Sequence, residues 1–371
     1  MTEDAIGRMR IAMLSAQASP LSESAGQAAH VAELCAGLSA SMHDVVVYTR
    51  REDAASRETV SSPEGYQVVH VPVGPERVLG DDELAAHLGD FAEFVAGRWR
   101  RRPPDVVHAH HWTSGLVSVV GAHRLRIPVV HSYHGLGGAE AGLRTTAEGL
   151  IARRAARIVA TSSAEAVELW QSGVRRAHVS VVPSGVDPGF FTPEGPVEFH
   201  DGRMRVLLTG ELDHGSAAAI GAVLSTVDNV ELVDTSAVRR GDRPAVLRSA
   251  DVAVCAPLAE GYGMAALEAM ACGVPVVATA VGALSDVVLP GVTGVLVGPR
   301  DVLRLARSVK ALLSDETRRE QFGTAARDRV LGRYSRRRLA GEAIAVYERA
   351  TCAATGGEAA RWTAGNAARP R

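Results

Sequence analysis

Short runs of β-branched and aliphatic residues alternate along the chain with longer stretches in which apolar positions recur every three or four residues. RIAMLSA, Arg10 to Ala16, reads as a buried strand, and AGQAAHVAELCAGLSA, Ala25 to Ala40, as a helix with one apolar face. VVVYTR, YQVVHVPV, DVVHAHH, IPVVHSYH and ARIVATS continue the strand series, most of them separated by helix-like segments such as DDELAAHLGDFAEFVAGRW. Strands alternating with helices predict an α/β protein with a mainly parallel, doubly wound sheet that meets ligands at the strands' C-terminal ends. Pro and Gly concentrate in VVPSGVDPGFFTPEGPVEFHDG, Val181 to Gly202, before a new strand, RVLLTG. A second unit then runs through ELVD, VAVC, VPVVAT and GVLVG, and 301–350 reads as helical. The division predicted is a first domain over 1–195, a second over 196–350, and a small, polar, glycine-rich and disordered tail over 351–371.

The length of 371 residues, 46% of them hydrophobic, supplies two domain cores. A net charge of −2 gives no global field for nucleic acid or an anionic membrane, so any anion site is local. Cys35, Cys255, Cys272 and Cys352 lie far apart without metal-ligand spacing and read as reduced, mostly buried thiols. No uncharged apolar run reaches the ~20 residues needed to span a bilayer, which predicts a soluble, cytoplasmic protein. In FAEFVAGRWRRRPP, Phe91, Phe94, Val95 and Trp99 recur at helical spacing beside arginines; a helix packed by its apolar face is favoured over peripheral membrane contact. No GxGxxG follows the first strand, which argues against a nicotinamide-dependent oxidoreductase.

The densest chemistry lies in AEGYGMAALEAMACGVPVVATAVG, Ala259 to Gly282. On an unbroken helix Glu260 and Glu268 would sit about 80° apart, but Gly261 and Gly263 argue that Glu260 belongs to the preceding loop. A helix starting near Met264 and ending at Gly273 places Glu268 about one turn in, so both carboxylates can meet a ligand at its N-terminus. Unpaired N–H groups and the positive end of the helix dipole there suit phosphate, and the carboxylates suit sugar hydroxyls. The blander alternative has Glu260 complementing the helix dipole and Glu268 solvated. His108, His110, His111, His131 and His134 raise a metal hypothesis, but no carboxylate or cysteine is spaced to complete a set, and packing or hydrogen bonding at strand ends is the expectation.

With its surroundings, this stretch resembles the ExxxxxxxE signature of the retaining glycosyltransferases of family 4. SPLSESAGQAAHVAELCAGLSA, PPDVVHAHHWTSG, IPVVHSYHGLG, ARIVATSSAE, VVPSGVDPGFFTPEGP and RPAVLRSADVAVC fall in the order seen in the branch of sucrose-phosphate synthase and the D-inositol-3-phosphate glycosyltransferases. The resemblance covers nearly all of 10–350 and implies the GT-B fold, two Rossmann-like domains facing across a cleft, the first on the acceptor side and the second holding the nucleotide sugar. It implies transfer of a hexosyl group from a nucleotide-diphosphate sugar, UDP- or GDP-linked with nothing in the sequence to distinguish them, to a small hydroxylated acceptor with no metal and no cofactor. It further implies that Glu260 contacts donor-sugar hydroxyls, that Glu268 binds the ribose, and that Gly261, Tyr262, Gly263 and Met264 hold the diphosphate and sugar. Gly26 of the first loop then faces the donor, and His134 reaches the reacting sugar. Two departures stand out: Glu211 and His214 occupy the places of the family's diphosphate-binding Arg and Lys, and about one helix and one strand are missing after ELVD. Ala25 and Ala28 also replace the usual Gly and Asn of the first loop. They keep open a second class, a non-catalytic GT-B protein that binds a sugar nucleotide or a partner.

Overall fold

The computed structural model describes residues 7–23, 26–137, 142–210, 214–259 and 261–366. The first domain runs β1 (Arg10–Leu14), α1 (Gln27–Ala40), β2 (Asp44–Arg50), β3 (Thr59–Ser61), β4 (Gln67–Val71), α2 (Asp81–Ala85), α3 (Leu88–Arg101), β5 (Val106–His110), α4 (His111–His123), β6 (Val129–Ser132), α5 (Leu143–Arg154), β7 (Arg157–Ala160), α6 (Ser163–Gln171) and β8 (Val179–Val181). The second runs β9 (Met204–Leu208), α7 (His214–Leu224), β10 (Val230–Asp234), α8 (Arg243–Arg248), β11 (Val252–Cys255), α9 (Met264–Ala271), β12 (Val276–Thr279), α10 (Leu284–Val287), β13 (Gly294–Val297), α11 (Val302–Leu313), α12 (Glu316–Arg333) and α13 (Arg336–Asn366).

The two sheets have strand orders β3-β4-β2-β1-β5-β6-β7-β8 and β10-β9-β11-β12-β13. Every pairing is parallel except β3 with β4, where Thr59 faces Val69 in an antiparallel edge ribbon. Parallel register, with Ile11 opposite both Val45 and Val106, aligns the C-terminal ends of the central strands at one edge. Strands buried on both faces need continuous apolar runs, which explains why RIAML and VAVC carry no polar alternation. The five strands described in the second sheet accord with the shortened segment after ELVD, since β10 passes directly to α8.

Phe91, Val95 and Trp99 of α3 are fully buried beside Tyr48 and α4 in the first core. Burying each contributes about 1.5–3 kcal/mol, so these three residues of the stripe belong to the core, with Phe94 half-buried beside them. Among the described residues no helix is long and apolar enough to cross one. Two expectations change. The stretch read as one helix from Asp81 divides into α2 and α3 at Ala86 and His87. α13 continues through Asn366, past the boundary at 350 that the sequence suggested.

α13 leaves the second domain and packs against α1, its Leu339, Ala340, Ala343 and Tyr347 joining Leu34, Cys35 and Leu38 in one core cluster. The approach is close because Gly37 has no side chain: a Cβ there would lie 2.9 Å from Arg336 O and 3.0 Å from Ala340 Cβ. Gly37→Val is therefore expected to destabilise the protein by about 1–3 kcal/mol through overpacking. Urea unfolding measures this, and an unchanged midpoint would show that α13 does not depend on that contact.

Candidate active site

The second sheet ends at a cavity of about 200 Å³, bordered by Thr209 and Gly210 after β9, Thr235 and Ser236 after β10, Arg243 and Leu247 of α8, and Met264, Ala265 and Glu268 of α9. Glu23 of the first domain closes one side. Gly263 precedes α9 in the left-handed conformation, φ 67°, and a Cβ there would meet Val287 Cγ2 at 3.1 Å, so glycine is required to start the helix at this place. The first intrahelical bond runs from Leu267 N to Gly263 O at 2.9 Å. The N–H groups of Met264, Ala265 and Ala266 in the first turn precede that bond and have no acceptor within the helix, and Met264 and Ala265 border the cavity.

Glu268 is only 2% exposed. Both its oxygens accept from Arg243 Nη1, at 3.1 and 2.9 Å, and Arg240 Nη1 stands 3.7 Å away. Burial raises its carboxyl pKa; Arg243 and Arg240 oppose the rise, while Glu33 adds to it. Glu33, on α1 and wholly buried, takes one arginine from each side: Arg240 on one oxygen and Arg336 Nε at 2.6 Å on the other. Arg240 N also donates to Glu23 Oε2 at 2.8 Å. The loop between β10 and α8 thus joins the cavity to the first domain through charge. The solvated alternative for Glu268 is excluded, because its carboxylate is enclosed and paired.

Across the cleft, Gly26 takes φ 68°, and a Cβ there would lie 3.9 Å from Tyr262 Cε2. Tyr262 packs over His134 and His30 with ring centroids 4.8 and 5.4 Å apart. His134 has positive φ, 61°, and its N–H donates to Glu165 Oε1 at 2.8 Å. Thr161 N and Oγ1 hold the other Glu165 oxygen at 2.7 and 2.8 Å. Thr161 Oγ1 also lies 2.6 Å from Gly261 O, a contact between the two domains. Burial keeps the imidazoles neutral, lowering His30 to about 4 and His110 and His134 well below the usual histidine value.

The predicted residues therefore form two groups. Gly26, His134 and Tyr262 meet at the cleft, whereas Met264 and Glu268 border the cavity and Gly263 starts the helix between them. Glu260, Ala25 and Glu211 lie outside the described residues, and His214 is described only as the first residue of α7. Glu33, Arg240 and Arg243 were not anticipated as a network. A charged residue on the apolar face of α1 and the basic run RRGDR were the signals available, and neither names its distant partner.

Comparison with known proteins places the chain in a family. Residues 25–185 match the family described as Glycosyl transferase 4-like domain, and residues 228–329 match Glycosyl transferases group 1. The D-inositol 3-phosphate glycosyltransferase of Xylanimonas cellulosilytica is 31% identical, covering 86% of this chain and 91% of its own. That of Geodermatophilus obscurus is 31% identical over 91% of this chain and 89% of its own. Among solved structures, sucrose-phosphate synthase from Thermosynechococcus elongatus superposes with TM-score 0.82 at 23% identity, covering 93% of this chain and all of that one. Anabaena HepE in complex with UDP-glucose gives 0.68 at 19% identity, covering 91% and 98%. These two likenesses speak to the fold.

Removing one member of the buried pair tests the electrostatics directly. Arg243→Met is expected to destabilise the protein by about 3–5 kcal/mol, because it strands the Glu268 carboxylate, and Glu268→Gln added to it should recover most of that. A carboxyl whose folded pKa is raised holds its proton more tightly when folded, so the loss in Arg243→Met should shrink as pH falls from about 8 to about 5. Urea unfolding of the single and double variants at both pH values measures it. Additive losses, or no pH dependence, would mean the pair is not an electrostatic unit.

Proposed function

The chain belongs to the family-4 glycosyltransferases of the GT-B fold, and we propose that it moves a hexosyl group from a nucleotide-diphosphate sugar to a small hydroxylated acceptor with retention of configuration. The observation that carries this reading is the juxtaposition of the α9 N-terminus and its cavity with Gly26, Tyr262 and His134 across one cleft. A diphosphate suits the helix amides, the nucleoside suits the cavity between β9, β10 and α8, and the sugar then extends toward the histidines. UDP is the nucleotide to test first, since a solved neighbour holds UDP-glucose. A phosphorylated polyol is the acceptor class to test first, since relatives are named D-inositol 3-phosphate glycosyltransferases.

In this mechanism the leaving diphosphate gains charge as the glycosidic bond breaks, and stabilisation of that charge is the largest demand on the protein. The amides of α9 meet part of it. Arg243 is the cation bordering the cavity that substitutes for the Arg and Lys replaced by Glu211 and His214. On nucleotide binding, Glu268 exchanges part of its bond to Arg243 for ribose hydroxyls, which frees the guanidinium toward phosphate. Glu260 takes the donor-sugar hydroxyls, and a neutral His134 hydrogen-bonds to the sugar without placing a charge beside the developing oxocarbenium ion. Domain closure over the cleft excludes water, the chemistry proceeds without a metal cofactor, and the enzyme works in the cytoplasm.

The test is a panel of nucleotide sugars with polyol phosphates as acceptors, read by thermal shift, product formation and the anomeric configuration of the product by NMR. Stabilisation together with turnover is expected for one donor; stabilisation with no transfer or hydrolysis would sink the catalytic reading. Glu260→Gln should lower turnover more than donor affinity, because contacts to the sugar strengthen as charge develops. Arg243→Met should weaken UDP by roughly ten- to a hundredfold, the equivalent of one charge-assisted hydrogen bond of about 1.5–3 kcal/mol. Unchanged affinity by calorimetry would remove Arg243 from phosphate binding.

A further inference from the structure

Among the described residues, one trio of side chains is arranged as a metal-binding set: His30, His110 and His134, whose ligand atoms all lie within 4.8 Å of one another. They come from α1, the end of β5 and the loop after β6, so three separate elements aim imidazoles at one point. His110 Nδ1 and His134 Nε2 are 2.8 Å apart. His110 Nε2 lies 3.0 Å from Met13 Sδ, and His30 Nδ1 lies 2.9 Å from Ser184 Oγ. Each outer contact is a place for the ring proton, leaving His30 Nε2 and His110 Nδ1 as lone pairs directed inward, the tautomers that outer partners impose on metal-bound histidines. His134 Nδ1 is buried without a hydrogen-bond partner.

We propose that His30, His110 and His134 bind a divalent transition ion of the zinc class, and that the bound ion excludes the sugar end of the donor. The second half rests on the function proposed above, in which His134 reaches the sugar; the first half stands on the trio alone. Neutral imidazole nitrogens select zinc, cobalt, nickel or copper over magnesium and calcium, which require oxygen ligands. Tetrahedral Zn–N bonds of 2.0–2.1 Å set ligand nitrogens about 3.3 Å apart. The 2.8 Å pair must therefore open by about half an ångström, and a pair as far apart as 4.8 Å must close by about 1.5 Å, for the three rings to share one ion. Three protein ligands leave a fourth position for water or another ligand, and Tyr262 borders the cluster from the second domain. The ion is thus a competitor of the donor rather than its cofactor.

The full chain, stripped of metal, is titrated with Zn²⁺ against a chromophoric chelator and with Co²⁺ followed by visible absorption. One equivalent is expected, with the intense bands of four-coordinate Co²⁺. His30→Gln and His110→Gln should each weaken Zn²⁺ by at least about a hundredfold, beyond what loss of an outer partner usually does. X-ray absorption of the native zinc complex counts imidazoles without relying on any variant, and three are expected. Affinity weaker than about 100 µM, unchanged affinity in both variants, or fewer than three imidazoles overturns the site. Calorimetry with UDP-sugar, with and without Zn²⁺, tests the exclusion: donor affinity should fall at least tenfold in the loaded protein, and equal affinities overturn that half. If the metal-free protein binds no nucleotide sugar, the proposed function fails while the spectroscopic results still decide the metal site.

Discussion

Two carboxylates buried where the domains meet, Glu33 and Glu268, constrain everything around them. A carboxylate withdrawn from water loses several kcal/mol of solvation, and only close cations with good geometry offset the loss. The protein supplies Arg336 from the start of α13, Arg240 from the loop before α8 and Arg243 from its first turn. These three positions can satisfy both acids only when α13 lies on α1 and the second domain presents its β10–α8 loop to the first. Apolar packing along α13 supplies adhesion, and the ion pairs restrict it to one arrangement.

That arrangement determines what the strand ends face. In a doubly wound sheet the C-terminal ends of parallel strands open onto loops, so neither domain can cover its own edge. Glycines at 26 and 263 supply the positive φ these loops need: the first, at 68°, stands beside Tyr262, and the second, at 67°, starts α9 against Val287. The contact of Thr161 with the Gly261 carbonyl repeats the theme, since a hydroxyl of the first domain takes up a polar group of the second domain's turn. The cleft is therefore a joint between two half-sites.

Local physics made much of this legible. The β-branched runs located β1, β2 and β4 to β7, and the glycine pair with the following apolar octet located α9 to within a residue of its start at Met264. The stagger of His108 and His110 on one side of β5 was also readable from strand periodicity, and their rings lie 4.3 Å apart. What escaped is non-local. Glu268 and Arg243 are 25 positions apart, and Glu33 and Arg336 are 303 apart, distances over which no periodicity carries information. The histidine trio escaped for the same reason: the sequence showed clustered histidines on β5 and β6, while His30, which completes the set, sits on α1. The edge strand β3 escaped because three residues are too few to establish an alternation.

The two walls of the cleft differ in kind, and the difference orders the chemistry. The second domain's wall carries a cation, Arg243 held on Glu268, with a helix N-terminus beside it; the first domain adds Glu23 at the cavity rim and, around His134, a layer of imidazoles that burial keeps uncharged. In a nucleotide sugar the dianionic diphosphate lies between a nucleoside and a neutral sugar ring, so the charged segment and the sugar can each meet the wall that suits it. A pose shifted so that the diphosphate lay against the unprotonated histidines would give it no compensating charge and would leave the arginine facing hydroxyls. Under the proposed function the placement of the diphosphate thus follows from charge before any contact to the sugar is specified. Under the same proposal Arg243 is shared between a buried acid and an incoming phosphate, so nucleotide binding and the ion-pair network joining the domains draw on the same guanidinium. A ligand that pulls Arg243 from Glu268 also loosens its contact with the Glu23 carbonyl, which couples occupation of the cavity to the fit between the two domains.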